Sequence, residues 1–229
     1  MIQNTEKLET RQSRPAGDGS EIEITLGLLN AVGENSAVTQ RSIARDLDIA
    51  LGLANAYLKR CVRKGLIKVN QAPRNRYAYY LTPSGFAEKS RLTSTYLLNS
   101  FNFFRQARRQ CSDVFAVCAE KGWERVALAG CSDVTEIATL CARENNIEIV
   151  GIVDDMTLSD DDSGRAEYVG LPVAANLSDL GNKVKAVLVT DTSRPQEIFD
   201  RLSKSVPADR ILTIALLNIS REQPKFAED

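Results

Sequence analysis

Three short polar stretches in the second half of the sequence each follow an apolar run of strand length. They are Gly130–Val134 in "VALAGCSDVTEIA", Asp154–Asp155 and Thr190–Arg194. Carboxyl ends of parallel strands meet at one edge of a sheet, where open α/β sheets bind ligands. The spacing therefore predicts one ligand site, built from Gly130, Cys131, Ser132, Asp133, Val134, Asp154, Asp155, Thr190, Asp191 and Arg194.

The first stretch has the position of a dinucleotide-binding turn, but Ser132 and Thr135 stand where the motif has its second and third glycines. Asp154 follows Gly130 by 24 residues, near the roughly 20-residue separation at which an acid binds ribose hydroxyls. An acid at this position disfavours the 2′-phosphate of NADP, so NADP is not expected as the ligand. The Cβ of Ser132 limits the approach of a pyrophosphate, which favours a nucleotide-sugar over NAD(H). A strand–helix corner without a ligand is the alternative.

Several catalytic and metal-binding motifs are missing from the sequence. It contains no histidine, no G-K-S/T motif and no C-x-x-C among its five cysteines. We therefore expect no metal and no catalytic residues, and an enzyme is the minor alternative. Cys131 lies at a helix start, where a thiol can be reactive. It is therefore either a redox sensor or a small residue buried in the fold. Scattered thiols fit a reducing cytoplasm.

Charge divides the chain into two halves. Residues 36–110 carry 14 basic and 3 acidic side chains, whereas residues 121–229 carry 12 and 19. A basic first module joined to an acidic second one predicts that the first binds a polyanion. No apolar run approaches a membrane span, and the polar residues 1–20 predict a disordered lead rather than a secretory signal.

The elements around the predicted ligand site alternate between strand and helix. Apolar runs at "RVALAG", "IEIVGIVDD", "GLPVAA", "AVLVTD" and "RILTIAL" alternate with amphipathic segments. This pattern predicts a small Rossmann-like parallel sheet covered on both faces. The fold class expected for the whole chain is α/β, with a winged helix-turn-helix first and a long connecting helix between the two.

The basic half has the pattern of three helices and a hairpin. In the third helix, Gly52, Asn55, Ala56, Lys59 and Arg63 share the face opposite the apolar stripe. Small residues allow close approach to the major groove, polar groups reach base edges and cations contact phosphates. The turn "QAPRNR" then predicts a wing that carries Arg74 and Arg76. The alternative to DNA binding is a module of three helices and a hairpin whose charged side chains are only solvated.

The segments "TQRSIARDLDIALGLANAYLKRCVRKGLIKV" and "YAYYLTPSGFAEKSRLT" resemble the MarR-type winged-helix regulators associated with exopolysaccharide genes. This resemblance implies a bacterial transcription regulator that reads bases around Leu51–Asn55 and contacts phosphates elsewhere in the domain. The resulting candidate DNA contacts are Thr39, Gln40, Arg41, Leu51, Gly52, Asn55, Lys59, Arg63, Arg74 and Arg76.

The second half resembles the nucleotide-sugar-binding N-terminal domain of sugar O-acyltransferases. The similarity lies in "ALAG", "EIVGIVDD", "YVGLPV", "LSDL" and "AVLVT". The overall plan is also similar to that of redox-sensing repressors that read NADH. These resemblances imply that the second domain senses a nucleotide-linked metabolite.

The segment between the two halves predicts one long helix. Leu97, Phe101, Phe104, Cys111, Phe115 and Cys118 fall at heptad-like steps along it. This seam predicts a homodimer, which would place two modules on paired half-sites. A helix packed on its own domains is the equal alternative.

We therefore expect a cytoplasmic transcription regulator that binds double-stranded DNA and a small nucleotide-type effector. The alternative is a DNA-bound protein whose second domain only mediates protein contacts. The expected boundaries are a lead (1–20), a winged helix (21–82), a connecting helix (83–121), a ligand-sensing domain (122–218) and a tail (219–229).

Overall fold

The protein is described by a computed structural model. It divides into two compact units, Met1–Ser100 and Phe101–Asp229. The structure describes residues 18–72, 76–154, 167–181 and 183–221.

Several sequence predictions fall outside these described residues. Arg74 and Asp155 lie outside them, as do most of the predicted lead and most of the predicted tail. Among the helices that the structure does describe, none is long and apolar enough to cross a membrane.

The first unit has the predicted order of three helices, a hairpin and the start of a long helix. Thr39 begins the second helix by reciprocal capping, because the side chain of Thr39 and that of Ser42 each accept the other's backbone N–H at 3.0 Å. Gly65 ends the third helix at φ +71°, a left-handed conformation that favours glycine. The elements are α1 (Asp18–Glu34), α2 (Gln40–Asp46), α3 (Leu51–Arg63), β1 (Ile67–Ala72), β2 (Arg76–Leu81) and α4 (Pro83–Glu120).

One apolar core holds these elements together. The N–H of Tyr79 in β2 donates to the carbonyl of Ser36 at 2.9 Å, which joins the hairpin to the segment before α2. The Oγ1 of Thr82 donates to the carbonyl of Gly65 at 2.6 Å and accepts the N–H of Gly85 at 3.0 Å. The largest fully buried side chains of this core are Leu28, Leu29, Ile43 and Ile67.

The second unit is built on a six-stranded sheet in the order β5-β6-β4-β3-β7-β8. Its five parallel strands, numbered along the chain, lie in the order 3-2-1-4-5 of a doubly wound sheet. They match the five predicted strands, so the fold class is confirmed. The elements are β3 (Arg125–Ala129), α5 (Asp133–Glu144), β4 (Glu148–Val153), β5 (Glu167–Tyr168), β6 (Leu171–Ala174), β7 (Ala186–Val189), α6 (Pro195–Leu202) and β8 (Ile211–Leu212).

The edge strand β5 was not expected from the sequence. It pairs antiparallel with β6 across the two-residue turn Val169–Gly170. Both turn residues have positive φ, +47° and +74°, as a two-residue hairpin of the primed type requires. Valine is unusual there, because its branched side chain disfavours this region.

Helical segments cover both faces of the sheet. One face, which includes Val126 and Leu128, packs against α5 and the end of α4. The other, which includes Ala127 and Ala129, packs against α6 and the 3-10 turn Leu177–Leu180. Successive strand residues point to opposite faces, so the near-continuous apolar runs of the sequence serve both.

The predicted seam of α4 splits into two parts. Cys111, Phe115 and Cys118 are fully buried in the core of the sheet unit, so this half follows the alternative in which the helix packs on its own domain. Leu97, Phe101 and Phe104 are 46%, 55% and 41% exposed. Within the seam, these three residues of the N-terminal half are the ones that remain available for contact with another chain.

Candidate functional site

The exposed face of α3 begins with uncharged residues, one of them a glycine, and ends with cations. Leu51 is 47% exposed, and no atom lies within 4 Å of the position that a Cβ on Gly52 would take. Lys59 and Arg63, further along the helix, are also exposed. The face is open because Ala54, Leu58 and Cys61 turn the opposite side into the core. A second surface can therefore approach the start of α3 closely.

The start of α2 lies beside this face. Thr39 uses its hydroxyl to cap the helix, and the first turn contains no acidic residue. Gln40 is half-buried and Arg41 is exposed. A helix N-terminus with positive flanking charge suits a phosphate group.

A groove of about 400 Å³ separates α3 from the hairpin. It brings together four of the predicted DNA contacts, Gln40, Asn55, Lys59 and Arg63. The Oδ1 atom of Asn55 is enclosed there and has no hydrogen-bond partner among the described residues. A buried amide oxygen without a donor is rare and calls for an external one.

The hairpin contributes aromatic side chains that the sequence interpretation missed. Tyr77, which lines the groove, is 57% exposed, and Tyr80 is 44% exposed. Alternation along "RYAYYL" places Tyr77 on the same face as the buried Tyr79 and Tyr80 on the other face, so the pattern alone could not show which tyrosines are exposed. Of the two predicted wing arginines, Arg76 begins β2, whereas Arg74 lies outside the described residues.

In the sheet unit, the space beside Gly130 is filled by the protein itself. This glycine has φ +98°, and a Cβ there would lie 2.4 Å from the Cβ of Asp191. The N–H of Asp191 donates to the carbonyl of Ala129 at 3.0 Å, which keeps the two strand ends close. Gly130 therefore serves the junction of β3 with β7 rather than the approach of a ligand.

Three backbone N–H groups of the first turn already have acceptors within the chain. Cys131 donates to the Oδ2 of Asp154 at 3.2 Å, and Ser132 donates to the Oγ1 of Thr135 at 3.1 Å. Val134 donates to the Oγ of Ser132 at 3.1 Å. A pyrophosphate would need these same donors. A diphosphate at this turn would have to compete with the carboxylate of Asp154 and with the two side-chain hydroxyls for these N–H groups.

The two buried acids of the site are caps for their own neighbours. Asp154 is 7% exposed and Asp191 is 8% exposed. The Oδ1 of Asp191 accepts the N–H of Ser193 at 2.7 Å and that of Arg194, at the start of α6. Thr190 is fully buried, and its Oγ1 donates to the carbonyl of Gly130 at 2.9 Å. The predicted strand ends thus come together, and their polar groups form hydrogen bonds with one another.

Four of the five cysteines are buried, and Cys131 is half-buried. Burial raises the pKa of Cys111 to about 12 and that of Cys118 to about 11. These thiols stay protonated at neutral pH and act as apolar packing groups. No group of three potential metal ligands from His, Cys, Asp or Glu occurs within the described residues.

The sequence model of the winged helix-turn-helix DNA-binding family matches residues 23–68. The elements from α1 to β2 form a winged helix-turn-helix domain. The match covers the segment from α1 to β1, which contains the open face of α3. A comparison of the chain with curated proteins finds no match.

Among solved structures, the chain is similar over part of its length to MepR, a transcription regulator of the Staphylococcus aureus multidrug efflux pump MepA. The identity is 28% and the TM-score 0.32; the match covers 38% of this chain and spans 63% of MepR. The zinc-responsive MarR family member ZitR of Lactococcus lactis is 17% identical over 51% of this chain and 82% of ZitR, with a TM-score of 0.31. PigF with SAH is 11% identical over 85% of this chain and 56% of that chain, with a TM-score of 0.22.

Proposed function

We propose that the chain is a transcription regulator whose winged-helix domain binds operator DNA. The open face of α3 supports this proposal most strongly. Its small residues come first, where a recognition helix meets base edges, and its cations follow, where phosphates lie. The excess of basic residues in 36–110 provides attraction to the DNA backbone.

Salt dependence of binding tests this proposal with a fluorescent 30-base-pair duplex. The full chain should bind at low salt, and log K should fall linearly with log[salt] as counterions are released. Lys59→Ala with Arg63→Ala should weaken binding and reduce the slope by about 2, roughly one per phosphate contact. The matched control changes two cations of the sheet unit, Lys183 and Lys185. Absence of binding at low salt would overturn the proposal.

We also propose that α4 joins two copies of the chain. Leu97, Phe101 and Phe104 are spaced by four and three residues, so they share one face of the helix. Tyr96 and Leu98 add exposed apolar surface beside them. Dimerisation would cover this surface and would present two winged-helix domains to paired half-sites.

Light scattering after size exclusion measures the subunit count directly. The unchanged chain should be a dimer, and Leu97→Lys with Phe101→Lys should be a monomer. Leu140→Lys is the control, because Leu140 is a leucine of similar exposure on α5, outside this face. A monomer at high micromolar concentration of the unchanged chain would count against the α4 interface.

For the sheet unit we propose an effector site outside the first turn. A groove of about 480 Å³ lies between the 3-10 turn Leu177–Leu180 and α6, with Val153 at one side and Leu202 at another. This volume falls within the range of small-molecule sites. Serine and asparagine side chains on its walls supply polar groups for a nucleotide-linked metabolite, the ligand class that the sequence predicts.

Thermal unfolding with NAD, NADH or UDP-glucose tests the effector site. A ligand that binds only the native state raises Tm, and Ser205→Trp, which fills the groove, should abolish the rise. A rise that survives in this variant would place the ligand elsewhere. No rise with any of the three favours the alternative that the unit only mediates protein contacts.

Control of polysaccharide or sugar genes is the narrowest part of the proposal. It is supported by the resemblance of residues 39–69 and 77–93 to regulators of that kind, of which residues 80–93 are the most specific part. Mapping the DNA segments that the protein occupies in cells tests it, and binding sites away from such genes would remove it.

A further inference from the structure

The first two turns of α3 contain an unusual selection of side chains for a DNA-reading helix. Residues 51–57 read "LGLANAY", with one amide side chain and no charged side chain. In the major groove, Arg and Lys read guanine, Asp and Glu read cytosine, Asn and Gln read adenine, and apolar groups contact the thymine methyl. This segment therefore lacks the side chains that read G·C pairs.

The exposed positions of the segment are the apolar and small ones. Leu51 is 47% exposed although the other leucines of α3 are buried or half-buried, and Ala56 is exposed one turn further on. The empty space around Gly52 lets a base pair approach the helix backbone there. Contact between this exposed leucine and an apolar group of the partner lowers the free energy of the complex, because apolar surface is removed from water.

Asn55 carries an acceptor that no side chain or backbone group of the described residues meets. Its Oδ1 lies enclosed in the groove beside the hairpin with no donor among the described residues. Rotation of the amide towards the open face of α3 would relieve this, because a buried acceptor without a donor is costly. Adenine offers the complementary pair in the major groove, a donor at N6 and an acceptor at N7.

We propose that the start of α3 reads adjacent A·T pairs, with Leu51 against a thymine methyl group and Asn55 on the N6 and N7 atoms of adenine. Lys59 and Arg63, one and two turns further on, contact phosphates and do not select bases. This inference rests on the proposed DNA binding and assigns the base class that the same surface selects.

Selection from a random duplex library with the full chain, followed by chemically altered probes, tests the inference. The selected half-sites should contain adjacent A·T pairs. Uracil in place of thymine, which removes only the methyl group, should weaken binding about threefold to fivefold. 7-Deazaadenine, which removes the N7 acceptor, should weaken it roughly fivefold or more. These probes leave the protein unchanged, so folding is not in question.

Variants assign each effect to a residue. Leu51→Ala should lose the preference for thymine over uracil, and Asn55→Ala should lose the preference for adenine over 7-deazaadenine. Leu140→Ala, which changes an exposed leucine outside the domain, should keep both. Lys59→Ala should weaken binding to all probes alike.

The results separate the two proposals. Selected sites with G·C pairs at these positions, or equal binding of thymine and uracil probes, would overturn the base assignment while DNA binding stands. Failure to bind any duplex at low salt would overturn both proposals.

Discussion

The starts of α3 and α5 are two helix N-termini with a glycine nearby, but they are built for opposite purposes. Ala50 before α3 makes no side-chain cap, whereas Ser132 before α5 has a complete capping box. The space beside Gly52 is empty, while the space beside Gly130 is filled by Asp191. A glycine next to open space leaves room for an external partner, and a glycine next to crowded space lets the chain pack on itself.

The two helix starts also differ in their hydrogen bonds. The turn before α5 uses the carboxylate of Asp154 where a nucleotide-binding protein would place a phosphate. The start of α3 retains an acceptor without a donor at Asn55. Hydrogen-bonded polar groups stabilise the fold, whereas an enclosed acceptor without a donor gains a hydrogen bond when a ligand supplies one.

The largest expected effect is that of Gly130→Ala. Its Cβ would meet Asp191 at 2.4 Å, and alanine is disfavoured at φ +98°. We expect a loss of about 3 kcal/mol or more in the free energy of unfolding, from overpacking and backbone strain together. Urea unfolding followed by circular dichroism measures it. Unchanged stability would show that the turn has room, and thus that the comparison is wrong.

Asp154→Ala should have the next largest effect. It removes the acceptor of the Cys131 N–H, which should cost about 1–3 kcal/mol. The freed turn should then attract an anion, so that sulfate raises Tm more in the variant than in the unchanged chain. Asp113→Ala, at an exposed position of α4, is the control. An equal sulfate response in all three proteins would argue against an internal anion.

The capping difference predicts a pair of opposite changes. Ser132→Ala should lower the free energy of unfolding by about 1 kcal/mol, because the Val134 N–H loses its acceptor. Ala50→Ser should raise stability slightly, since α3 begins without a side-chain cap. Thermal and urea unfolding of both variants measure this. A loss of stability in both would remove the distinction between the two helix starts.

Gly52→Ala should have the smallest effect on stability and should act chiefly on binding. Alanine stabilises a helix by roughly 0.5–1 kcal/mol relative to glycine, and no atom obstructs it here. The added methyl group should nevertheless weaken DNA binding, because it separates the helix backbone from the bases. Unfolding and anisotropy measurements on one preparation test both parts. Tighter binding would contradict close approach at this position.

The elements were predictable because their apolar periodicity is strong. The heptad-like pattern of α4 predicted the helix but could not show that Cys111, Phe115 and Cys118 pack on the sheet of the same chain. The strand β5 was missed because it has two residues and follows a turn with an unfavourable valine.

The candidate sites show the same limit. The sequence indicated that Gly130, Asp154 and Thr190 lie near one another, because they follow parallel strands. It could not indicate that their polar groups form hydrogen bonds with one another, since this depends on distances between residues that are 23 and 60 positions apart along the chain. The exposure of Leu51 likewise depends on how α3 is rotated against its core.

The turn Val169–Gly170 has a consequence for protein engineering. An exposed valine in a left-handed conformation lowers stability without serving either of the two surfaces described above. Asparagine is the residue that such two-residue turns prefer. Val169→Asn should therefore raise the stability of the sheet unit. Destabilising changes elsewhere in that unit could then be studied in folded protein that carries this substitution.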